Sequence, residues 1–171
     1  MEKRDLYLRL ITITRYTIAA LVFLVFASWL LPYFSYSGLV KNEVKETISI
    51  WGYFLMPTNF LQMEKLMNVK FVNISNINVI LIMFIFGIVT ILSCIRKKSI
   101  MINLFPLIFS VWGFLGYLLN SLLAFGNHPT SRLITMILVA LVFVVTVFSI
   151  CVHVLEIRSR PDDYYLPTMD F

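Results

Sequence analysis

The sequence predicts an all-α membrane protein, a bundle of four transmembrane helices with a small extracytoplasmic segment containing short β-strands between helices one and two. Three observations carry that prediction. Four apolar stretches, at about residues 10–32, 77–95, 100–124 and 133–155, are each long enough to cross a bilayer. A helix rises about 1.5 Å per residue and the hydrocarbon layer is about 30 Å thick, so a span needs about 20 apolar residues. Of the 171 residues, 60% are hydrophobic and only 13% charged, with a mean hydropathy of +0.88, which a water-exposed surface does not tolerate. Lysine and arginine gather at the ends of the apolar stretches rather than along one face.

Those basic residues set the expected orientation, because cytoplasmic flanks of short loops retain them. The N-terminal flank carries Lys3, Arg4, Arg9 and Arg15, the turn after span two Arg96, Lys97 and Lys98, and the C-terminal flank Arg158 and Arg160. The expected location is the cell membrane, multi-pass, with both termini cytoplasmic and residues 33–76 outside. Lys41, Lys45, Lys65 and Lys70 of that outer segment are interleaved with Glu43, Glu46 and Glu64. The net charge of +5 and pI near 9.3 therefore follow from topology, and no nucleic-acid partner is expected.

Taken in order, span one begins among Thr12, Thr14, Arg15 and Thr17, with the Arg15 head reaching back toward the inner headgroups. Val25-Phe26-Ala27 resembles a weak processing site, but the apolar run continues through Trp29 to Leu31, so the segment is expected to be retained. Pro32 closes it, and Tyr33 to Ser37 alternates aromatic with small polar residues at the period of a strand. A charged turn or short helix is expected over 39–46, then a strand in the alternating run Thr47 to Tyr53. Pro57-Thr58-Asn59 punctuates the segment before a short helix with Phe60, Met63 and Met67 along one stripe, and Lys70 to Ile74 alternates into span two. Asn73-Ile74-Ser75 fits a glycosylation acceptor, a match of little specificity. The outer-loop contact candidates are Trp51, Tyr53 and Phe60.

Spans two and four read as walls of Ile, Leu, Val, Phe and Met that face lipid and neighbours. Span three is different, because Asn103, Pro106, Ser110, Gly113, Tyr117, Asn120, Ser121 and Ala124 share one arc at 100° per residue, with Gly116 at its edge. Helix association in lipid rests on close backbone approach and interhelical hydrogen bonds rather than on hydrophobic burial. Asn103, Ser110, Gly113, Gly116, Tyr117 and Asn120 thus form the expected packing or partner-binding face, with Asn120 facing Asn78, and span three is the expected packing hub. The tail, 156–171, offers Tyr164, Tyr165 and Phe171 for docking on a partner or beneath the bundle.

Enzyme chemistry is not expected. Intramembrane catalysis places ionisable groups at matching depth, yet the spans hold no Asp or Glu except Glu156 at an inner terminus. There is no paired carboxylate, His-x-x-x-His or Cys-x-x-Cys pair, phosphate loop or nucleophile elbow. Cys94 and Cys151 fall near inner ends, so no disulfide is expected, and Cys151 and His153 point to different faces, so neither is a metal site. His128 reads as a solvated turn residue. No cofactor and no metal are expected.

One span, an outer segment with strand-like runs, then three closely spaced spans resembles the claudin-like four-helix topology. Leu31-Pro32-Tyr33-Phe34-Ser35-Tyr36-Ser37-Gly38, followed by Ser49-Ile50-Trp51-Gly52-Tyr53, is similar to a pattern in uncharacterised bacterial four-helix membrane proteins. The chain departs from true claudins in lacking paired loop cysteines and their Gly-Leu-Trp element, so junction formation does not carry over. Its many Ile, Asn, Lys and Phe residues suit an AT-rich bacterial genome. The expected role is a non-enzymatic accessory or scaffolding subunit that binds other integral membrane proteins, or itself, by helix and outer-loop contacts. Immunity or sensing toward a membrane-active toxin is one alternative, and a small channel-like or lipid-binding oligomer is another.

Overall fold

The computed structural model describes residues 2–37, 45–51, 74–95, 103–122 and 129–159. Within them lie four helices, α1 (Glu2–Ser28), α2 (Ile74–Ile95), α3 (Leu104–Leu122) and α4 (Pro129–Arg158). Strand β1 (Pro32–Ser37) pairs antiparallel with β2 (Lys45–Ser49), with an irregularity between Pro32 and Phe34. Two stretches, Arg4–Ser28 and Thr130–Arg158, are long and apolar enough to cross a membrane. The corresponding apolar stretches of α2 and α3, Ile80–Ile95 and Leu104–Gly116, are shorter.

Hydropathy misplaced the first boundary. The span expected over 10–32 is a helix that starts at Glu2 and stops at Ser28. The amide of Trp29 donates to the carbonyl of Phe26, Leu30 to Ala27 and Leu31 to Ser28, each three residues back, which tightens the last turn. Pro32 brings no amide hydrogen and disfavours helical dihedrals at Leu31. The other helices overrun or underrun their expected limits by a few residues, as helix ends set by capping rather than hydropathy do. Strand β2 begins before the expected Thr47 and ends before Ile50, because Ile50 and Trp51 turn onto the helices.

The helices close a ring in which α1 packs on α2 and α4, and α3 packs on the same two. The widest interface is α1 against α4, so the packing hub expected in span three lies in that antiparallel pair. Its register is fixed at two levels. The hydroxyls of Ser28 and Thr135 lie 2.7 Å apart near the hairpin, and Thr14 Oγ1 donates to Ser149 Oγ at 3.3 Å toward the chain termini. The two pairs are fourteen residues apart on each helix, two heptads, or about 21 Å at 1.5 Å per residue.

Burial on α4 follows the same repeat. Ser131, Thr135, Val139, Val142, Thr146, Ser149, His153 and Glu156 are buried, at steps of three or four residues, with Val152 buried beside them. The seam is polar at both ends and apolar at the centre, where Val139 and Val142 join Ile18, Val22, Met83 and Phe109. Span four is therefore not the featureless wall its hydropathy implies. Its opposite face, Leu133, Ile137, Leu141, Val144 and Phe148, is exposed, as are Leu81, Ile85, Ile88 and Leu92 of α2.

Candidate functional site

Hydroxyl, amide and ionisable groups gather inside the bundle at the end that carries the start of α1 and the finish of α4, called here the terminal end. Asn103 lies in a short 3-10 turn that runs directly into α3. The Asn103 side chain reaches α4. Its Nδ2 lies 3.2 Å from His153 Nδ1, and its Oδ1 accepts from Ser149 Oγ at 3.1 Å. Ser149 Oγ in turn accepts from Thr14 of α1.

Thr14 Oγ1 also lies 3.0 Å from the Ile11 carbonyl, and His153 Nδ1 lies 2.9 Å from the Ser149 carbonyl. Thr14, Asn103, Ser149 and His153 are all more than nine-tenths buried. Three helices thus meet on one continuous chain of hydrogen-bonding groups. One turn beyond, Glu156 is buried and forms an ion pair with half-exposed Arg4, Nε to Oε1 3.6 Å. A buried carboxylate is tolerated where a cation offsets its desolvation.

Arg15 binds α2 rather than extending to the headgroups. It donates through one terminal nitrogen to the carbonyls of Cys94 at 2.8 Å and Ser93 at 3.2 Å. These carbonyls belong to the last turn of α2, which has no helical amide left to bind them and carries the negative end of the helix dipole. Trp51 does the equivalent for α1 at the other end. Its indole Nε1 donates to the Phe26 carbonyl at 2.8 Å and its amide to the Trp29 carbonyl at 3.4 Å. The ring joins a cluster with Trp29 and Phe84, centroids 6.0 and 5.7 Å away, and Phe26 links both to Phe109.

The remaining expected face residues of span three divide. Gly113 is buried, and a Cβ there would lie 2.7 Å from Met83 Cε of α2 and 3.2 Å from Val139 Cγ1 of α4. Gly116 is buried, and Ser110 is buried with its hydroxyl donating to the Leu107 carbonyl at 3.0 Å. Ser110 also lines a groove of about 360 Å³ between α3 and α4, with Val111, Phe114, Ala140, Phe143 and Val144. Tyr117 and Asn120 lie in α3, but their side chains, like that of Asn78, fall outside the described residues. So do Tyr53, Phe60, Tyr164, Tyr165, Phe171 and His128.

Sequence reasoning passed over Thr14, Ser149 and His153. The signal was present in the heptad spacing of Ser131, Thr135, Thr146, Ser149 and His153, but a hydropathy average over so apolar a segment hides it. Among the described residues, no group of three His, Cys, Asp or Glu is placed to hold a metal ion. Compared with family models, with curated proteins and with solved structures, the chain matches none.

Proposed function

We propose that the chain is a four-span integral membrane protein that acts without catalysis, as an accessory or scaffolding subunit holding other membrane proteins by helix and outer-segment contacts. The observation that carries this reading is the inverted distribution of polarity. Small polar side chains bond to one another between α1, α3 and α4, while Phe23, Leu24, Ile88, Phe114, Leu141 and Val144 face outward. A water-soluble protein of this size does not expose apolar faces of that extent, whereas a bilayer requires them. In this reading α2 and α3 also cross, their 22 and 19 residues being about the length a span needs. The basic flanks put both termini in the cytoplasm and the β1–β2 pair outside.

Among the described residues, the buried polar side chains other than Trp29 are engaged within the chain itself, which leaves its outer surfaces for recognition. Purification of the full chain in mild detergent, with mass spectrometry of co-purifying proteins, tests this. A stoichiometric membrane partner that persists through two chromatographic steps is the expected result. A chain that purifies alone and conducts ions in liposomes contradicts it.

A second reading, a lipid-binding protein, is favoured by the apolar groove between α3 and α4. Native mass spectrometry separates the two, since that reading requires a retained lipid that Ala140→Phe removes.

A further inference from the structure

We propose that the terminal end of the α1–α4 pair is a docking face for the chain's own residues 161–171, which cover it and must be displaced by any partner that binds there. Two exposed leucines mark the face. Leu6 of α1 is 55% exposed and Leu155 of α4 is 46% exposed. At 100° per residue, Leu6 lies opposite Arg15, which reaches α2, and Leu155 lies about 160° from His153, which meets Asn103. Both therefore look away from α2 and α3, on the open side of the pair.

In the four-span reading, on which this proposal rests, both leucines lie beyond the lipid. Arg96, Lys97 and Lys98 directly follow Ile95, so the hydrocarbon layer ends at the last turn of α2, the level of Arg15. Leu6 comes nine residues before Arg15, about 13 Å further out at 1.5 Å per residue. Leu155 comes six residues after Ser149, the level of Asn103, about 9 Å further out. Apolar side chains inside a bilayer need no cover, whereas these stand past the headgroup layer and face water.

The chain itself supplies a cover of matching chemistry. It leaves α4 at Ser159, whose amide donates to the Leu155 and Glu156 carbonyls at 3.1 Å each, and Pro161 has no amide hydrogen with which to extend that ladder. Eleven residues reach up to about 36 Å when extended, long enough to return over one turn to Leu155 and across to Leu6. They carry Asp162, Asp163 and Asp170 and no Lys or Arg, together with Tyr164, Tyr165, Leu166, Met169 and Phe171. The exposed charges around the face are Arg9, Arg158 and half-exposed Arg4 against Asp5, since Glu156 is buried and paired with Arg4, and Glu2 and Lys3 offset each other. The connection from α2 to α3 adds Arg96, Lys97 and Lys98 on the same side of the membrane. Attraction between the aspartates and this basic end brings the aromatic residues onto the leucines.

Thiol labelling measures the cover. In the full chain with Cys94→Ala and Cys151→Ala, held in lipid nanodiscs that leave both membrane surfaces in water, Leu6→Cys and Leu155→Cys are reacted one at a time with a charged maleimide. Each is expected to label several-fold faster when Asp162→Lys, Asp163→Lys and Asp170→Lys reverse the charge of the segment, or when residues 161–171 are deleted, at unchanged helicity. Concentrated salt is expected to speed labelling of the parent chain in the same direction. Equal rates in all the chains overturn the proposal, uniformly fast labelling because the leucines are uncovered and uniformly slow labelling because lipid covers them. Protection found only in native membranes, and not in nanodiscs, assigns the cover to a partner and also overturns it. Ile88→Cys and Phe114→Cys, shielded in every chain if α2 and α3 cross the bilayer, test the four-span reading separately.

Discussion

Two glycines set how closely the helices approach. A Cβ at Gly113 would meet the mobile end of Met83, which can swing aside, whereas one at Gly87 would collide with the Phe26 ring. That ring is held by Trp29, Phe84 and Phe109 and has nowhere to go. Gly87→Ala is therefore expected to destabilise by about 1–3 kcal/mol, the usual cost of overpacking, and Gly113→Ala by clearly less. Gly113→Leu, which must also displace Val139, falls in the same range as Gly87→Ala. Thermal unfolding in a single detergent ranks the three. Arg15 supplies a second prediction, because its guanidinium binds two terminal carbonyls of α2 with one nitrogen. Arg15→Ala is expected to cost about 1–2 kcal/mol and to raise amide exchange in the last turn of α2, with Arg15→Lys recovering part of the loss. Equal exchange in all three proteins contradicts that assignment.

At the scale of elements, the α1–α4 pair holds its register through hydroxyl pairs two heptads apart. Each such bond is worth about 0.6 kcal/mol in a membrane and at most about 1.7, so the pairs select a register more than they stabilise the bundle. In a chain with Cys94 and Cys151 replaced by alanine, Thr14→Cys with Ser149→Cys and Ser28→Cys with Thr135→Cys are expected to cross-link. Thr14→Cys with Thr135→Cys is expected not to, since those positions lie about 21 Å apart along the pair. Cross-linking of the mismatched pair in a monomer contradicts the register.

The same elements explain what the sequence discloses. Four helical stretches are legible because lipid-compatible runs of Ile, Leu and Val are long and nearly uninterrupted. Their ends are not, because Ser28 closes α1 through local three-residue bonds and a distant Trp51, and Arg15 closes α2 across the bundle. The orientation of α3 is legible from its small residues, and Asn103 and Gly113 do face the neighbouring helices. The hydroxyl seam of α4 is legible only to a reading that asks where the few polar side chains recur, because both faces of that helix are otherwise apolar.

For the whole molecule, polarity runs opposite to that of a soluble fold. The interior gathers Thr14, Ser28, Thr90, Asn103, Ser149 and His153, and the exterior is Leu, Ile, Val and Phe. In lipid this arrangement is favourable, because interior hydrogen bonds form without competition from water and the outer faces lose nothing by exposure. Two helices meet the length and hydropathy of a span by themselves, so the proposal of a four-span bundle stands or falls with α2 and α3. Nitroxide labels at exposed Phe23, Ile88, Phe114 and Val144, one per helix, in full-length protein reconstituted into liposomes, test it most directly. The account predicts all four to be relaxed by oxygen and shielded from a water-soluble nickel chelate. Free access of the chelate to positions 88 and 114, with 23 and 144 shielded, would place α2 and α3 outside the bilayer and contradict it.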